Sequence, residues 1–252
     1  MKLRRFYTSC RELCFGRRIT LNCQETHHIR TVLRLRENDS IELFNSTGCV
    51  FTAIIENFLN DEVIVRVNEE SPFLDEKETK KIYLLYAFSK GIKIELVLQK
   101  TTELGIDGIF LFGSTHSIAK FDEKMKRNRL ERYHRIVLEA CKQSRRVTVP
   151  DLHIYKDLDT VFKEQTDHDA LCLIADINGG DIPDIRHDFK DKKTVMLVVG
   201  PEGGLTDEEK NLLEQQYLHY YISLGKNILR TETAAIAAVA VMKNIVNFNR
   251  CR

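Results

Sequence analysis

No stretch of the chain is apolar for long enough to span a membrane, and the opening residues MKLRRFYTSCREL lack the apolar segment of a secretory leader. A cytoplasmic location is the expectation. GxGxxG and GxxxxGK[ST] are both missing, so a Rossmann dinucleotide site and a P-loop lack support. The seven cysteines (Cys10, Cys14, Cys23, Cys49, Cys141, Cys172 and Cys251) are odd in number and scattered, which reads as reduced thiols. Cys10 and Cys14, with Cys23 near by, have no second pair after them, so no metal site is expected. A strong excess of one charge is absent too, the net charge being +1.

That balance hides segregation. Residues 1–36 carry nine Lys or Arg against Glu12 and Glu25, and residues 120–146 carry ten against four carboxylates. Two basic patches on an otherwise balanced chain suit a polyanion such as RNA or DNA. The 252 residues allow one large domain or two modest ones, each with a core.

The pattern divides the chain. Residues 1–70 read as a small β-rich module, opened by Arg4-Arg5-Phe6-Tyr7, where cations adjoin aromatics as phosphate contact and base stacking require. Glu25–Leu35 reads as a short helix with His27 and His28 at its start, too far apart around the axis to share a metal. Strands are predicted over Ser40–Phe44, Cys49–Glu56 and Glu62–Val67, with a turn at Asn45–Gly48. A helix followed by short antiparallel strands predicts a compact barrel. Residues 71–80, acidic and containing Pro72, read as a linker.

Residues 81–252 alternate strand and helix, which predicts an α/β domain with a parallel sheet flanked by helices. Strands are expected at Ile82–Phe88, Ile109–Phe112 and Asp169–Ala175, and helices over Ile94–Leu104 and Leu130–Ser144. The last third holds two strand-loop-helix units. Thr194–Val199 is a continuous β-branched and apolar run, as in a strand buried on both faces, and it stops at Gly200-Pro201-Glu202-Gly203-Gly204. Thr206 and Glu209 then form a capping box. Tyr220–Leu224, the loop Gly225–Arg230 and a helix from Thr231 to Val246 repeat the scheme. Ala234, Ala235, Ala237, Ala238 and Ala240 strip that helix of bulk. Two glycine-bearing loops at the carboxyl ends of parallel strands make a ligand site.

At these residues the chain resembles a known family. VVGPEGGLTDEE followed by SLGKNILRTETAA is similar to the cofactor-binding signature of the ribosomal RNA small-subunit methyltransferase E family, SPOUT-class enzymes. HHIRTVLRLRENDSIELFN, SKGIKIELVLQKTTELGIDGI and EACKQSRRVTVP extend the likeness through both halves of the chain. The resemblance implies a C-terminal trefoil knot, an N-terminal PUA-like RNA-binding barrel and a homodimer. It also implies S-adenosylmethionine as cofactor and methyl transfer to N3 of a uridine in 16S ribosomal RNA, with the assembled 30S subunit as the partner.

The expected cofactor residues are Ala175, Gly200, Pro201, Glu202, Gly203, Gly204, Leu224, Gly225, Ile228, Leu229 and Ala234. A carboxylate at Glu202 repels a pyrophosphate but sits well beside a cationic, phosphate-free cofactor, which favours S-adenosylmethionine over NAD. Arg230, then Arg146, are the candidates for stabilising the anion that forms on the uracil ring. Arg4, Arg5, His28, Arg34, Lys90, Lys93 and Arg145 are the expected RNA contacts. The chain departs from the family at Ser114-Thr115-His116-Ser117, where many members have Ser-Glu-Arg-Ser, and at Thr148, where a second arginine is usual. Lys120, Arg145 and His116 are the nearest substitutes. Two other readings stand beside this one: a non-catalytic RNA-binding assembly factor that keeps the fold, and a nucleotide-dependent α/β enzyme unrelated to RNA.

Overall fold

A computed structural model describes residues 3–60, 62–72, 80–88, 93–114, 123–165, 169–182 and 192–248. Two compact units emerge. Unit 1 comprises residues 1–77 together with 141–149, and unit 2 comprises 78–140 together with 150–252.

Unit 1 is built on strands β1 (Arg5–Tyr7), β2 (Arg18–Leu21), β3 (Ser40–Phe44), β4 (Cys49–Leu59) and β5 (Glu62–Pro72), in sheet order β1-β3-β4-β5-β2. β1 runs parallel to β3, and the other pairs are antiparallel. Alternation along β5 sends Val63, Val65 and Val67 inward, each with no exposed surface, to meet Phe6, Ile41, Leu43 and Ile55. β1 and β2, of three and four residues, are too short for a period to show in the sequence.

Helix α1 (Cys23–His27) is capped by the Asn22 side chain, which accepts the Glu25 N–H at 2.9 Å. It continues as a wide π-type turn over His28–Val32. The predicted helix through Leu35 stops short because Arg34 takes the left-handed conformation, with φ of 54°.

Unit 2 carries six parallel strands, β6 (Lys81–Phe88), β7 (Gly108–Gly113), β8 (Asp151–Tyr155), β9 (Leu171–Gly180), β10 (Thr194–Val199) and β11 (Leu218–Ile222), in the order β11-β9-β10-β6-β7-β8. All six residues of β10 are buried, as its unbroken apolar run requires. The helices are α2 (Ile94–Glu103), α3 (Glu123–Ser144), α4 (Leu158–Glu164), α5 (Asp207–Gln216) and α6 (Thr231–Phe248). α4 and α5 cover the side of the sheet bearing Leu85, Phe110, Cys172 and Met196. α6 packs on β6, β10 and α2. β8 and α4 carry too few periodic residues to be read from sequence. The reverse turn after α2 is held by Gly105, at φ of 93°.

One irregularity shapes the site. Ladder pairing between β9 and β11 jumps from Ile174↔Tyr221 to Gly180↔Ile222, so residues 175–179 bulge out of register. A Cβ on Gly179 would stand 2.5 Å from the Ile222 carbonyl carbon and 2.6 Å from its nitrogen. Backbone cannot yield there, so Gly179→Ala is expected to cost about 1–3 kcal/mol. A lowered urea midpoint with an unchanged m-value checks this.

Candidate active site

The bulge and two loops enclose a cavity of about 260 Å³ at the carboxyl ends of β9, β10 and β11. Its lining comes from Ile174 to Ile177, from parts of the stretches Val199 to Leu205 and Leu224 to the first turn of α6, and from Lys210. Nine of the eleven expected cofactor residues lie on its wall: Ala175, Gly200, Pro201, Gly204, Leu224, Gly225, Ile228, Leu229 and Ala234. Glu202 and Gly203 do not line it and stand exposed on the turn.

The turn closes with the Gly204 N–H donating to the Pro201 carbonyl at 2.9 Å, and Gly204 takes φ of 76°. Thr206 and Glu209 complete the capping box beneath it, with Thr206 N–H to Glu209 Oε2 at 2.9 Å and Glu209 N–H to Thr206 Oγ1 at 3.2 Å. Across the cavity, Gly225 at φ of 123° donates its N–H to Ser223 Oγ. Only glycine holds such a φ without strain.

Sequence reasoning missed several wall residues. Asp176 and Ile177 reach the cavity only because of the bulge. Lys210 arrives from α5 and Asn227 from the second loop. Asp176 is oriented locally, its Oδ1 accepting the Asn178 N–H at 2.9 Å.

Tyr86 is the other omission. It has no exposed surface, and its hydroxyl donates to Thr231 Oγ1 at 3.1 Å, fixing the start of α6. Burial pushes the Tyr86 phenol up to about 12, with Glu232 and Glu202 adding to the shift and the Thr231 bond opposing it. The hydroxyl is therefore protonated at neutral pH and remains a donor. Because the unfolded phenol titrates near its ordinary value of 10, the contribution of Tyr86 to stability is lost as pH rises from there toward about 12.

Arg230 caps α6, its carbonyl accepting the Ala234 N–H at 2.8 Å. Its side chain is exposed and makes no hydrogen bond or ion pair among the described residues. Arg146 belongs to unit 1, where its N–H bonds the Cys141 carbonyl at 3.0 Å and its Nη2 donates to Thr148 Oγ1 at 3.4 Å.

Arg4 and Arg34 are exposed in unit 1, and Lys93 is exposed at the start of α2. His28 is half-buried, edge-on to Phe6 at 5.8 Å. Lys90 lies outside the described residues, as do Thr115, His116, Ser117 and Lys120; Ser114 is buried and donates to Glu209 Oε2 at 3.3 Å. Arg5 requires a correction. It is 7% exposed, pairs through Nε with Glu42 at 3.0 Å and donates through Nη1 to the Arg145 carbonyl at 2.6 Å. Its charge serves the interior of unit 1 and is not offered to RNA. Arg145 takes φ of 63°, with its own guanidinium reaching Glu42 at 3.5 Å and the Leu3 carbonyl at 3.3 Å.

A parallel α/β unit with a glycine-lined cleft at its strand ends, and a small β module, are the two parts of a two-domain RNA methyltransferase. The family model described as an RNA methyltransferase domain matches residues 76–243, and that of the RNA methyltransferase PUA domain matches residues 21–67. Ribosomal RNA small subunit methyltransferase E of Bacillus subtilis is 32% identical over 87% of each chain, and that of Rickettsia conorii is 33% identical over 96% of each. The solved structure of the Neisseria gonorrhoeae enzyme of that name, bound to S-adenosylmethionine, is similar with a TM-score of 0.83 at 31% identity, over 96% of this chain and 98% of that one. A Legionella pneumophila methyltransferase solved with the same cofactor gives 0.85 at 31% identity, over 97% and 98%. The chain belongs to the ribosomal RNA small subunit methyltransferase E family.

Proposed function

We propose that this protein transfers the methyl group of S-adenosylmethionine to N3 of a uridine in small-subunit ribosomal RNA. The observation that carries the proposal is the cavity, because its chemistry suits this cofactor. Val199, Leu205, Leu224 and Leu229 offer apolar walls to a flat adenine, and the loop glycines leave backbone groups bare for its edge. Asp176 adds a carboxylate that tolerates a sulfonium and would repel a diphosphate. When bound, S-adenosylmethionine supplies an electrophilic methyl carbon.

The residues of the chain handle the nucleophile. Uracil N3 must give up its proton to water, the methyl group leaves the sulfonium as its bond to sulfur breaks, and the charge that develops on the ring needs a cation beside it. Arg230 is such a cation at the edge of the cavity wall. A guanidinium offers donors and no acceptor, so its part is electrostatic. Holding base and methyl carbon in line supplies much of the remaining acceleration.

The proposal includes the homodimer, the C-terminal knot and the cytoplasmic location. Ile228 at the cavity, 89% exposed, and Val241 on α6, 38% exposed, are apolar groups that a second copy would cover. Among the described residues no helix is long and apolar enough to cross a membrane.

The test is methyl transfer from labelled S-adenosylmethionine to small subunits from a strain lacking the modification, followed by nucleoside analysis. Labelled 3-methyluridine is expected; its absence, with subunits confirmed unmodified, overturns the reading. Tyr86→Phe should weaken cofactor binding by about two- to tenfold, the size of one lost hydrogen bond. Titration calorimetry checks it.

A further inference from the structure

Unit 1 concentrates several unusual features near the end of its central strand β4, where the chain turns into β5. Arg30, Leu35, Arg36, Glu37 and Phe58 line an open pocket of about 410 Å³. Phe58 packs against the core of the unit from behind, so its ring is held in place. The Arg30 guanidinium stands 5.9 Å from the centre of that ring and donates to the Asn60 carbonyl at 2.7 Å. Three of the five left-handed non-glycine residues described adjoin the lining residues: Arg34 and Asn38 are next in sequence to Leu35 and Glu37, and the Asn60 carbonyl is held by Arg30. The π-type turn over His28–Val32 leads into it. Both kinds of irregularity gather where function offsets their cost. Val32 and Leu59, 60% and 50% exposed, add uncovered apolar surface.

We propose that this pocket binds an unpaired nucleobase of the RNA substrate, a base other than the one methylated. The inference rests on the RNA-substrate reading given above. An aromatic ring beside a guanidinium is a stacking platform that any base fits, and Arg34 and Arg36 supply cations for the flanking phosphates. Glu37 sets the preference. Its carboxylate accepts hydrogen bonds and donates none, so it favours a base carrying an exocyclic amine over uracil, whose N3–H lies between two carbonyl oxygens that repel a carboxylate. Arg30, Arg34 and Arg36 outnumber the two carboxylates of Glu37 and Asp39, the latter already accepting the Arg36 N–H at 2.7 Å, which favours a polyanion over an acidic or apolar protein surface.

The experiment uses the full chain and fluorescent oligoribonucleotides, single-stranded and as the matching duplex, across a range of salt. Phe58→Leu keeps apolar volume but removes the ring. It should weaken single-strand binding about tenfold, the size of one lost base–aromatic stack, with the salt slope unchanged. Duplex binding and cofactor affinity should stay as in the wild type. Arg36→Gln should lower the salt slope by about one, and Glu37→Gln should reduce the margin between amine-bearing and uracil oligonucleotides. Arg30→Gln supplies a second probe of the stack should Phe58→Leu melt early.

Folded variants at Phe58 and Arg30 that bind single strands as the wild type does overturn the pocket. So does a variant that still methylates naked RNA normally and fails only on assembled subunits, because that assigns the pocket to a ribosomal protein. A wild-type chain that binds no single-stranded RNA overturns it as well. Ring-dependent single-strand binding without any methyl transfer keeps the pocket and removes the proposed reaction instead.

Discussion

Replacing Arg230 with alanine lowers the methyl-transfer rate constant by about 10²–10³-fold, the loss typical of removing one aimed donor from a developing anion. Cofactor affinity is expected to change little, because the cavity is walled by its neighbours Leu229 and Thr231 and not by Arg230. The defect should shrink as pH rises, since a ring nitrogen that has already lost its proton needs less help from a cation. Single-turnover rates across pH with saturating cofactor check both parts. A variant that loses cofactor binding in proportion to rate would make Arg230 a binding residue. Arg230→Lys should recover only part of the rate, because a point charge replaces a planar fork.

Replacing Lys142 with alanine is expected to destabilise unit 1 by about 3–5 kcal/mol, the cost of removing one partner from a buried ion pair. Lys142 Nζ lies 3.0 Å from both carboxylate oxygens of Glu25, with side chains only 7% and 6% exposed, and 6.0 Å from the centre of the Phe6 ring. Lys142→Ala leaves the Glu25 carboxylate in that interior without this cation. The double variant Lys142→Met with Glu25→Leu should recover much of the loss, because apolar groups of similar size remove the desolvation penalty together with the attraction. Urea unfolding of both variants tests this. Equal losses in the two would mean that packing, and not charge, holds the segment.

Much of the cleft at the strand ends was legible in the sequence. Gly200, Gly204 and Gly225 sit where chain direction must reverse, and glycine punctuates such turns regardless of distant contacts. The Thr206–Glu209 capping box is likewise local, spanning four residues, and the structure forms both of its bonds. β10 was legible because an unbroken apolar run describes a strand with no solvent face.

Tertiary structure alone decided the rest. The bulge that turns Asp176 and Ile177 into wall residues depends on how β9 pairs with β11, some forty residues away, which no period within either strand encodes. The same holds for Tyr86, a core tyrosine by pattern, which meets Thr231 across 145 positions. Arg5 was read as a surface cation because its string mixes cations and aromatics, yet Glu42 and the carbonyls of Arg145 and Arg146 draw it inside. Residues 141–149, by sequence part of the α/β half, count with unit 1 for the same reason. Turns, caps and buried strands are set by neighbours along the chain and can be read one stretch at a time. Where a charged side chain goes is set by the partner that repays its desolvation, and only the folded chain brings that partner near.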